Sequence, residues 1–161
     1  MNPALSDYLP WLGVWAGAGE TQAGQECLIR TEFYPAMDST GLGMHFEAWD
    51  PRMSVLYHGV RAMLAAAPSG VLRALAYSSI HGALLLELTP DDEGVMALAG
   101  ESMTGNRISV TFVQEEPDQL LFTAFWRPPQ TRGEDDRPSM TCVMRRALPM
   151  KIPAPTSPPQ A

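Results

Sequence analysis

The stretch that decides the fold is Leu-Gly-Val-Trp-Ala-Gly-Ala-Gly at residues 12–19, near the start of a 161-residue chain. Glycines within a strand let it bend sharply and approach its neighbours closely. A short apolar set (Leu5, Tyr8 and Leu9) precedes this stretch and predicts a brief helical turn before the first strand. A turn is expected at Ala23-Gly24, directly after it.

Short runs with strand character continue along the chain, and turn residues separate them every 8–14 residues or so. The alternation is clearest where Ile108, Val110 and Phe112 are interleaved with Ser109 and Thr111, which places each set on one face of a strand. Such spacing is typical of a sandwich or barrel. The ten predicted strands are 12–20, 25–34, 41–49, 54–67, 71–79, 83–89, 95–101, 107–114, 119–127 and 139–146.

One region supports an alternative. Residues 60–67 and 71–88 are rich in Ala and Leu, whose intrinsic propensity favours helix. Helices there would make the protein an α+β fold, with a cone-shaped sheet wrapped on helices. The short spacing between turn residues, the hairpin rhythm of the whole chain and Gly82 in mid-run favour strands.

Composition limits the classes of partner and the number of domains. Hydrophobic residues make up 45% and charged residues 18%, which suits one globular domain. The formal net charge of −7 disfavours a nucleic-acid partner. We expect one domain over 1–148 and a disordered Pro-rich tail over 149–161. Cys27 and Cys142 are interpreted as free thiols in a reducing compartment.

The sequence predicts a cytoplasmic protein that does not insert into a membrane. The N-terminus has no basic region followed by an apolar one, as a signal peptide would. The longest apolar run, at 63–67, is far too short to cross a bilayer.

The Leu-Gly-x-Trp-x-Gly-x-Gly opening resembles the first strand of the nitrobindin-like and lipocalin-like calycin barrels, which are related to the fatty-acid-binding-protein barrels. The runs at 77–79, 87–90 and 98–102 are similar, more loosely, to later strands of that group. The resemblance implies an up-and-down barrel with an internal cavity. It also implies that a short N-terminal helix closes one end and that Trp15 packs over that end.

The same resemblance raises the question of haem. Nitrobindins bind haem through a histidine on the last strand, but residues 139–146 here contain none. We therefore expect no cofactor and keep nitrobindin-like haem binding as an alternative. The Arg-x-Tyr pair with which fatty-acid-binding proteins hold a carboxylate is also absent.

Together these observations predict an all-β protein, a ten-stranded antiparallel up-and-down barrel of calycin type, that binds a small hydrophobic or amphipathic molecule in its cavity. A barrel with this many strands is too wide to be filled by its own side chains. The chain contains no catalytic motif and no metal-ligand spacing, so we predict neither catalytic nor metal-binding residues. The enzyme alternative is a lumen-sited isomerase or hydrolase that uses His45 or His58 with Glu47.

Polar residues within the predicted strands are the candidates for orienting a ligand. If the second and third strands pair, Arg30, Glu32, His45 and Glu47 form one patch, which would orient a ligand inside the barrel or form solvated ion pairs outside it. Arginine and tyrosine on later strands could bind a carboxylate or carbonyl. The ligand-binding candidates are Arg30, His45, Glu47, Tyr57, Arg73 and Trp15. A homodimer is left open.

Overall fold

The computed structural model describes residues 3–89, 94–129 and 137–147. The predicted Pro-rich tail, 149–161, lies outside the described residues. A 3-10 helix, Pro3–Trp11, is followed by strands whose bounds are β1 Gly13–Thr21, β2 Glu26–Ala36, β3 Gly41–Trp49, β4 Leu56–Ala66, β5 Leu72–Ser78, β6 Gly82–Thr89, β7 Val95–Ser102, β8 Arg107–Glu116, β9 Gln119–Arg127 and β10 Met140–Ala147.

The strands form a closed barrel in which each one pairs antiparallel with the next along the chain. β1 also pairs with β10, for example through Val14 with Ala147 and Gly19 with Cys142, and this pairing closes the sheet. Closure leaves no strand with an unpaired edge. The prediction of a ten-stranded, antiparallel, up-and-down barrel is confirmed.

The alternative of helices across residues 60–88 is wrong, because this region forms β4, β5 and β6. Buried and exposed residues alternate strictly along β5, with Ala74 and Ala76 turned inward and Leu75 and Tyr77 outward. Pairing on both edges of each strand satisfies the backbone and overrides the helical preference of Ala and Leu. The inward alanines also leave open space in the barrel, as described below.

Two glycines of the opening motif let β1 lie very close to β10. A Cβ atom on Gly17 would come within 2.1 Å of the Val143 carbonyl oxygen, and one on Gly19 within 2.6 Å of the Thr141 carbonyl oxygen. No other residue fits such a contact, so glycine is needed where the sheet curls shut. This agrees with the close approach that the sequence predicts.

The 3-10 helix covers the end of the barrel where Phe33 of β2 and Phe112 of β8 point inward, which we call the closed end. The Trp11 ring packs edge-on against both phenylalanines, with ring centroids 5.7 Å and 6.4 Å apart. The Trp15 indole N–H donates to the Trp11 carbonyl oxygen over 2.7 Å. Helix and barrel therefore share one core at this end, as the resemblance implied.

Arg146, near the end of β10, binds the C-terminal end of the helix. Its guanidinium donates to the carbonyl oxygens of Leu12 and Pro10 and lies 4.3 Å from the centre of the Trp15 ring. A cation beside the last carbonyls of a helix is favourable, and its contact with an indole face adds a cation–π attraction. Within the described part of the chain, no helix is long and apolar enough to cross a membrane.

Candidate functional site

The lumen contains a cavity that begins above the aromatic side chains of the closed end and extends toward the opposite end, which we call the open end. The centres of water molecules could occupy about 60 Å³ of it, several times the roughly 10–15 Å³ that one water needs. The total volume between the atoms, including the part of the cavity that opens to solvent, is about 650 Å³. The lining residues are Met44, Phe46, His58, Val60, Ala62, Ala74, Ala76, Ser78, His81, Leu84, Leu86, Leu98, Ile108, Val110, Phe112, Phe122, Ala124, Trp126 and Met140.

A chain of aromatic contacts connects the closed end with the cavity. Phe33 packs against Phe112, Phe112 against Phe122 and Phe122 against Phe46, with ring centroids 5.0–5.4 Å apart. Beyond Phe46 the chain reaches His58, whose ring lies 5.8 Å away. The cavity floor is thus aromatic, and aromatic side chains make large apolar contact surfaces.

Two histidines and a tryptophan form a cluster at the open end of the cavity. The His58 ring lies 5.8 Å from the His81 ring and 5.9 Å from the Trp126 ring, and His81 lies 5.6 Å from Trp126. His58 is on β4, Trp126 is on β9, and His81 is in the turn between β5 and β6. The cluster therefore joins opposite parts of the barrel wall around one space.

Hydrogen bonds to Ser78 determine the state of His58. The Ser78 Oγ accepts from the backbone N–H groups of Ile80 and His81, at 3.2 Å and 3.0 Å, and these bonds use both of its lone pairs. Its O–H must then donate to the His58 Nε2, 2.8 Å away. His58 is therefore a neutral imidazole that carries its proton on Nδ1.

Burial lowers the pKa of both lumen histidines. Removal from water, with a smaller contribution from His81, lowers the pKa of His58 to about 4. Burial also lowers the pKa of His81. Both rings are therefore uncharged at neutral pH, because an apolar environment disfavours the imidazolium form.

The second lumen histidine has an unused hydrogen-bonding atom. His81 is 9% exposed, and its Nε2 is buried without a hydrogen-bond partner among the described residues. Buried polar groups are nearly always paired, so an unpaired one calls for an explanation. The His81 side chain is part of the cavity wall.

Three of the predicted site residues are brought together, but on the outer face of the barrel. Arg30 pairs in register with Glu47, and Glu32 with His45, so the cross-strand patch exists. The His45 Nε2 lies 2.9 Å from the Glu47 carboxylate, and Arg30 lies 3.0 Å from Glu32. Their neighbours along each strand are the buried ones, as the alternation in β2 and β3 shows. Any contact of Arg30, His45 or Glu47 with a ligand stays a prediction.

The other predicted residues do not line the cavity either. Arg73 points outward from β5 and forms an ion pair with Glu87 at 2.7 Å. Tyr57 lies beside a bulge at the open end, where its hydroxyl accepts a hydrogen bond from Gln25 at 2.8 Å. Trp15 is fully buried at the closed end. Of these three, Tyr57 is nearest the entrance to the cavity.

The enzyme alternative requires Glu47 to share a site with a histidine inside the lumen, and the structure does not provide this. His58 faces the cavity, whereas Glu47 and His45 lie on the other side of the wall. Adjacent residues of a strand point to opposite faces, and Glu47 pairs with Gly59, one residue after His58. Within the described residues, no group of three or more His, Cys, Asp or Glu side chains could hold a metal.

Ser78, His81 and Trp126 line the cavity but are not among the ligand-binding candidates, and His58 is a candidate only in the enzyme alternative. The sequence holds a signal for His58, which shares its strand parity with Val60, Ala62 and Leu64. The other residues of this set are apolar, so the set is predicted to lie on the inner face of the strand. His81 lies in a turn, where no periodicity can show which way it points.

Both cysteines are free and buried, on the strands that flank β1. Burial raises the pKa of the Cys142 thiol to about 12, and Cys27 adds to the effect. Burial also raises the pKa of Cys27. The prediction of two free thiols is confirmed, and neither has the lowered pKa of a reactive nucleophile.

Comparison with protein-family models gave no match, and comparison with the sequences of curated proteins gave none either. Solved structures do match. Rv2717c from M. tuberculosis superposes with a TM-score of 0.70 at 16% identity, over 92% of this chain and 99% of that one. The S-type phycobiliprotein lyase CPES from Guillardia theta gives a TM-score of 0.54 at 12% identity, over 88% and 90% of the two chains. At these identities the likeness concerns the fold, and with the closed ten-stranded sheet it shows a calycin-like β-barrel.

Proposed function

We propose that this barrel binds a small, largely apolar molecule in its lumen. The observation that carries the proposal is the cavity itself, whose described wall is apolar apart from Ser78, the two histidines and the indole nitrogen of Trp126 at the open end. Burial of apolar surface contributes roughly 25 cal/mol per Å², so a wall of this kind supplies affinity without charged groups. A few polar groups beside an apolar wall are typical of small-molecule sites.

The cavity suits a compact molecule. The volume open to the centres of water molecules, about 60 Å³, is well below the roughly 300–1,000 Å³ usual for drug-sized ligands. Met44 and Met140 line it, and methionine side chains are flexible and adapt to different shapes. A one- or two-ring molecule is therefore the appropriate probe.

Methionine methyl groups also provide the test. In a ¹³C-methyl NMR titration with naphthalene, we expect the signals of Met44 and Met140 to shift, while those of the exposed Met53 and Met103 stay in place. Ala76→Phe should abolish the shifts because it fills the cavity. Ala83→Phe, on the outer face of the neighbouring strand β6, is the matched control. Unmoved Met44 and Met140 signals at saturating naphthalene would contradict the proposal.

Haem, which the nitrobindin resemblance implies, does not suit these residues by the family's route. The inward positions of β10 are Met140, Cys142 and Met144, so the last strand offers no imidazole. A nitrobindin-type activity is therefore not part of the proposal.

Four earlier expectations stay predictions. These are the cytoplasmic location, the absence of a nucleic-acid partner, the disordered tail and the homodimer. An exposed apolar row on the outer face, formed by Met63, Leu75 and Leu85 on three adjacent strands, gives a reason to measure the oligomeric state. Sedimentation equilibrium of the full chain would decide it.

A further inference from the structure

The polar groups of the lumen are few and are concentrated at one end. Among the described side chains that line the cavity, only Ser78, His58, His81 and the Trp126 indole carry a nitrogen or oxygen atom. None carries a full charge when the histidines are neutral. The arginines nearest in sequence, Arg61 and Arg73, are exposed on the outer face.

Two of these polar groups, Ser78 and His58, are hydrogen-bonded to each other. Ser78 uses both lone pairs and its O–H on Ile80, His81 and His58, so it has no capacity left for a ligand. The same bond occupies the Nε2 of His58. This leaves three groups for a ligand: the Nδ1–H of His58, the indole N–H of Trp126 and the Nε2 of His81, and of these the His81 Nε2 is buried without a partner in the described part of the chain.

We propose that the lumen selects an uncharged ligand, an apolar body that carries one hydroxyl or carbonyl group, and that this group binds the His81 Nε2. The inference rests on the proposed function and specifies the class of ligand. A neutral imidazole nitrogen accepts from a hydroxyl in one tautomer and donates to a carbonyl in the other. The Trp126 and His58 rings beside it give the polar group of the ligand a fixed position.

A carboxylate is disfavoured in the same place. Moving an anion from water into an apolar site is very costly unless a cation or several hydrogen-bond donors receive it. Among the described residues, the cavity wall offers neutral imidazole and indole nitrogens but no arginine or lysine. This predicts a preference opposite to that of a carrier of fatty-acid anions.

Three compounds of one shape separate these contributions: naphthalene, 2-naphthol and 2-naphthoate. At neutral pH we expect 2-naphthol to bind roughly tenfold more tightly than naphthalene, which is the usual value of one net hydrogen bond. The affinity of 2-naphthoate should be at least about 100-fold lower than that of 2-naphthol. Calorimetric titration, checked by the Met44 and Met140 methyl shifts, measures all three.

His81→Phe should remove the preference for 2-naphthol while naphthalene still binds. Tyr77→Phe is the matched control, because this tyrosine is exposed on the outer face of β5, and it should leave all three affinities unchanged. Should His81→Phe fold poorly, the wild-type protein supplies a second readout. The ¹⁵N resonance of the His81 Nε2 should move on addition of 2-naphthol and much less on addition of naphthalene.

Equal or tighter binding of 2-naphthoate would overturn the inference, as would a preference for 2-naphthol that persists in His81→Phe. In both cases naphthalene binding in the lumen would leave the proposed function standing. Failure of all three compounds to shift Met44 and Met140 would instead overturn both.

Discussion

The two ends of this barrel are built from the same ten strands, yet one end is filled and the other is hollow. At the closed end, the large rings of Trp11, Trp15, Phe33 and Phe112 are each at most 2% exposed and pack against one another. Above these rings, the cavity wall includes the small side chains of Ala62, Ala74, Ala76 and Ala124, which leave its interior unfilled. Side-chain volume, rather than strand number alone, decides where the cavity lies.

The two ends also differ in how their polar atoms are satisfied. At the closed end, the Trp11 indole donates to the Gln114 Oε1 at 2.9 Å, and the Trp15 indole donates to a carbonyl oxygen. At the open end, the His81 Nε2 has no partner in the described part of the chain. We therefore expect the closed end to contribute more to stability and the open end more to ligand binding, and four predictions test this division.

Truncation of the closed end should have the largest effect. Trp15→Ala removes a fully buried indole and its hydrogen bond, so we expect a loss of about 4 kcal/mol in the free energy of unfolding. Trp126→Ala, at the open end where the side chain borders a cavity, should cost about half as much or less. Urea denaturation measures both, and equal losses would contradict the division.

Lowering the pH should destabilise the protein because it favours protonation of His58, which is buried at the open end. The unfolded His58 takes up a proton below pH 6.5, whereas the folded one does so only near pH 4. Stability is therefore fully present above pH 6.5 and falls as the pH is lowered toward 4, by about 3 kcal/mol for this group.

Stability profiles of two histidine variants isolate this contribution. His58→Gln should flatten the profile between pH 6.5 and 4, whereas His45→Gln should keep most of the slope. The pKa of His45 is also lowered by burial, but Glu47 opposes the effect. An unchanged slope in His58→Gln would show that the carboxylates alone account for the acid sensitivity.

A larger side chain should destabilise the protein where β1 and β10 are in close contact and should be tolerated in the wall of the cavity. Gly17→Ala would place a Cβ against the Val143 carbonyl oxygen, so we expect a loss of roughly 1–3 kcal/mol. Ala76→Leu extends into the cavity and should change the stability by less than about 1 kcal/mol, while it weakens naphthalene binding. Thermal unfolding of the two variants checks this, and a severe loss in Ala76→Leu would mean that the cavity is less open than described.

The smallest effect is expected on the outer face, which belongs to neither end. The Arg73–Glu87 ion pair joins side chains that are 44% and 57% exposed, and exposed pairs contribute under about 1 kcal/mol. Arg73→Ala should therefore barely change the urea midpoint. Its effect on naphthalene affinity tests the prediction that Arg73 contacts a ligand, and a clear loss of affinity would support that prediction.

Much of the fold could be predicted from local sequence. All ten strands lie where turn residues and alternation place them, and the glycines at 17 and 19 predict a close approach that the structure contains. Trp15 lies over the closed end, as the resemblance implied. These features depend on residues near one another in the chain, so a single sequence is enough to predict them.

The site could not be predicted in the same way. Period-2 alternation separates His45 and Glu47 from their neighbours, but it does not say which set faces inward, and a shift of one residue reverses the answer. The candidates from the sequence belong to the more polar set, and their contact with a ligand stays a prediction, whereas the cavity wall contains His58 with the apolar set of β4. His81 enters the site through a turn, which alternation does not describe.

The sequence by itself determined the strands, their order and the closed end, because glycine spacing, turn residues and alternation act over a few residues. Only the tertiary structure decided which face is inner and where the cavity lies. The closure of β1 on β10, more than 100 residues apart in the chain, fixes the inward face of every strand at once. It also brings His58, His81 and Trp126 together from three distant positions.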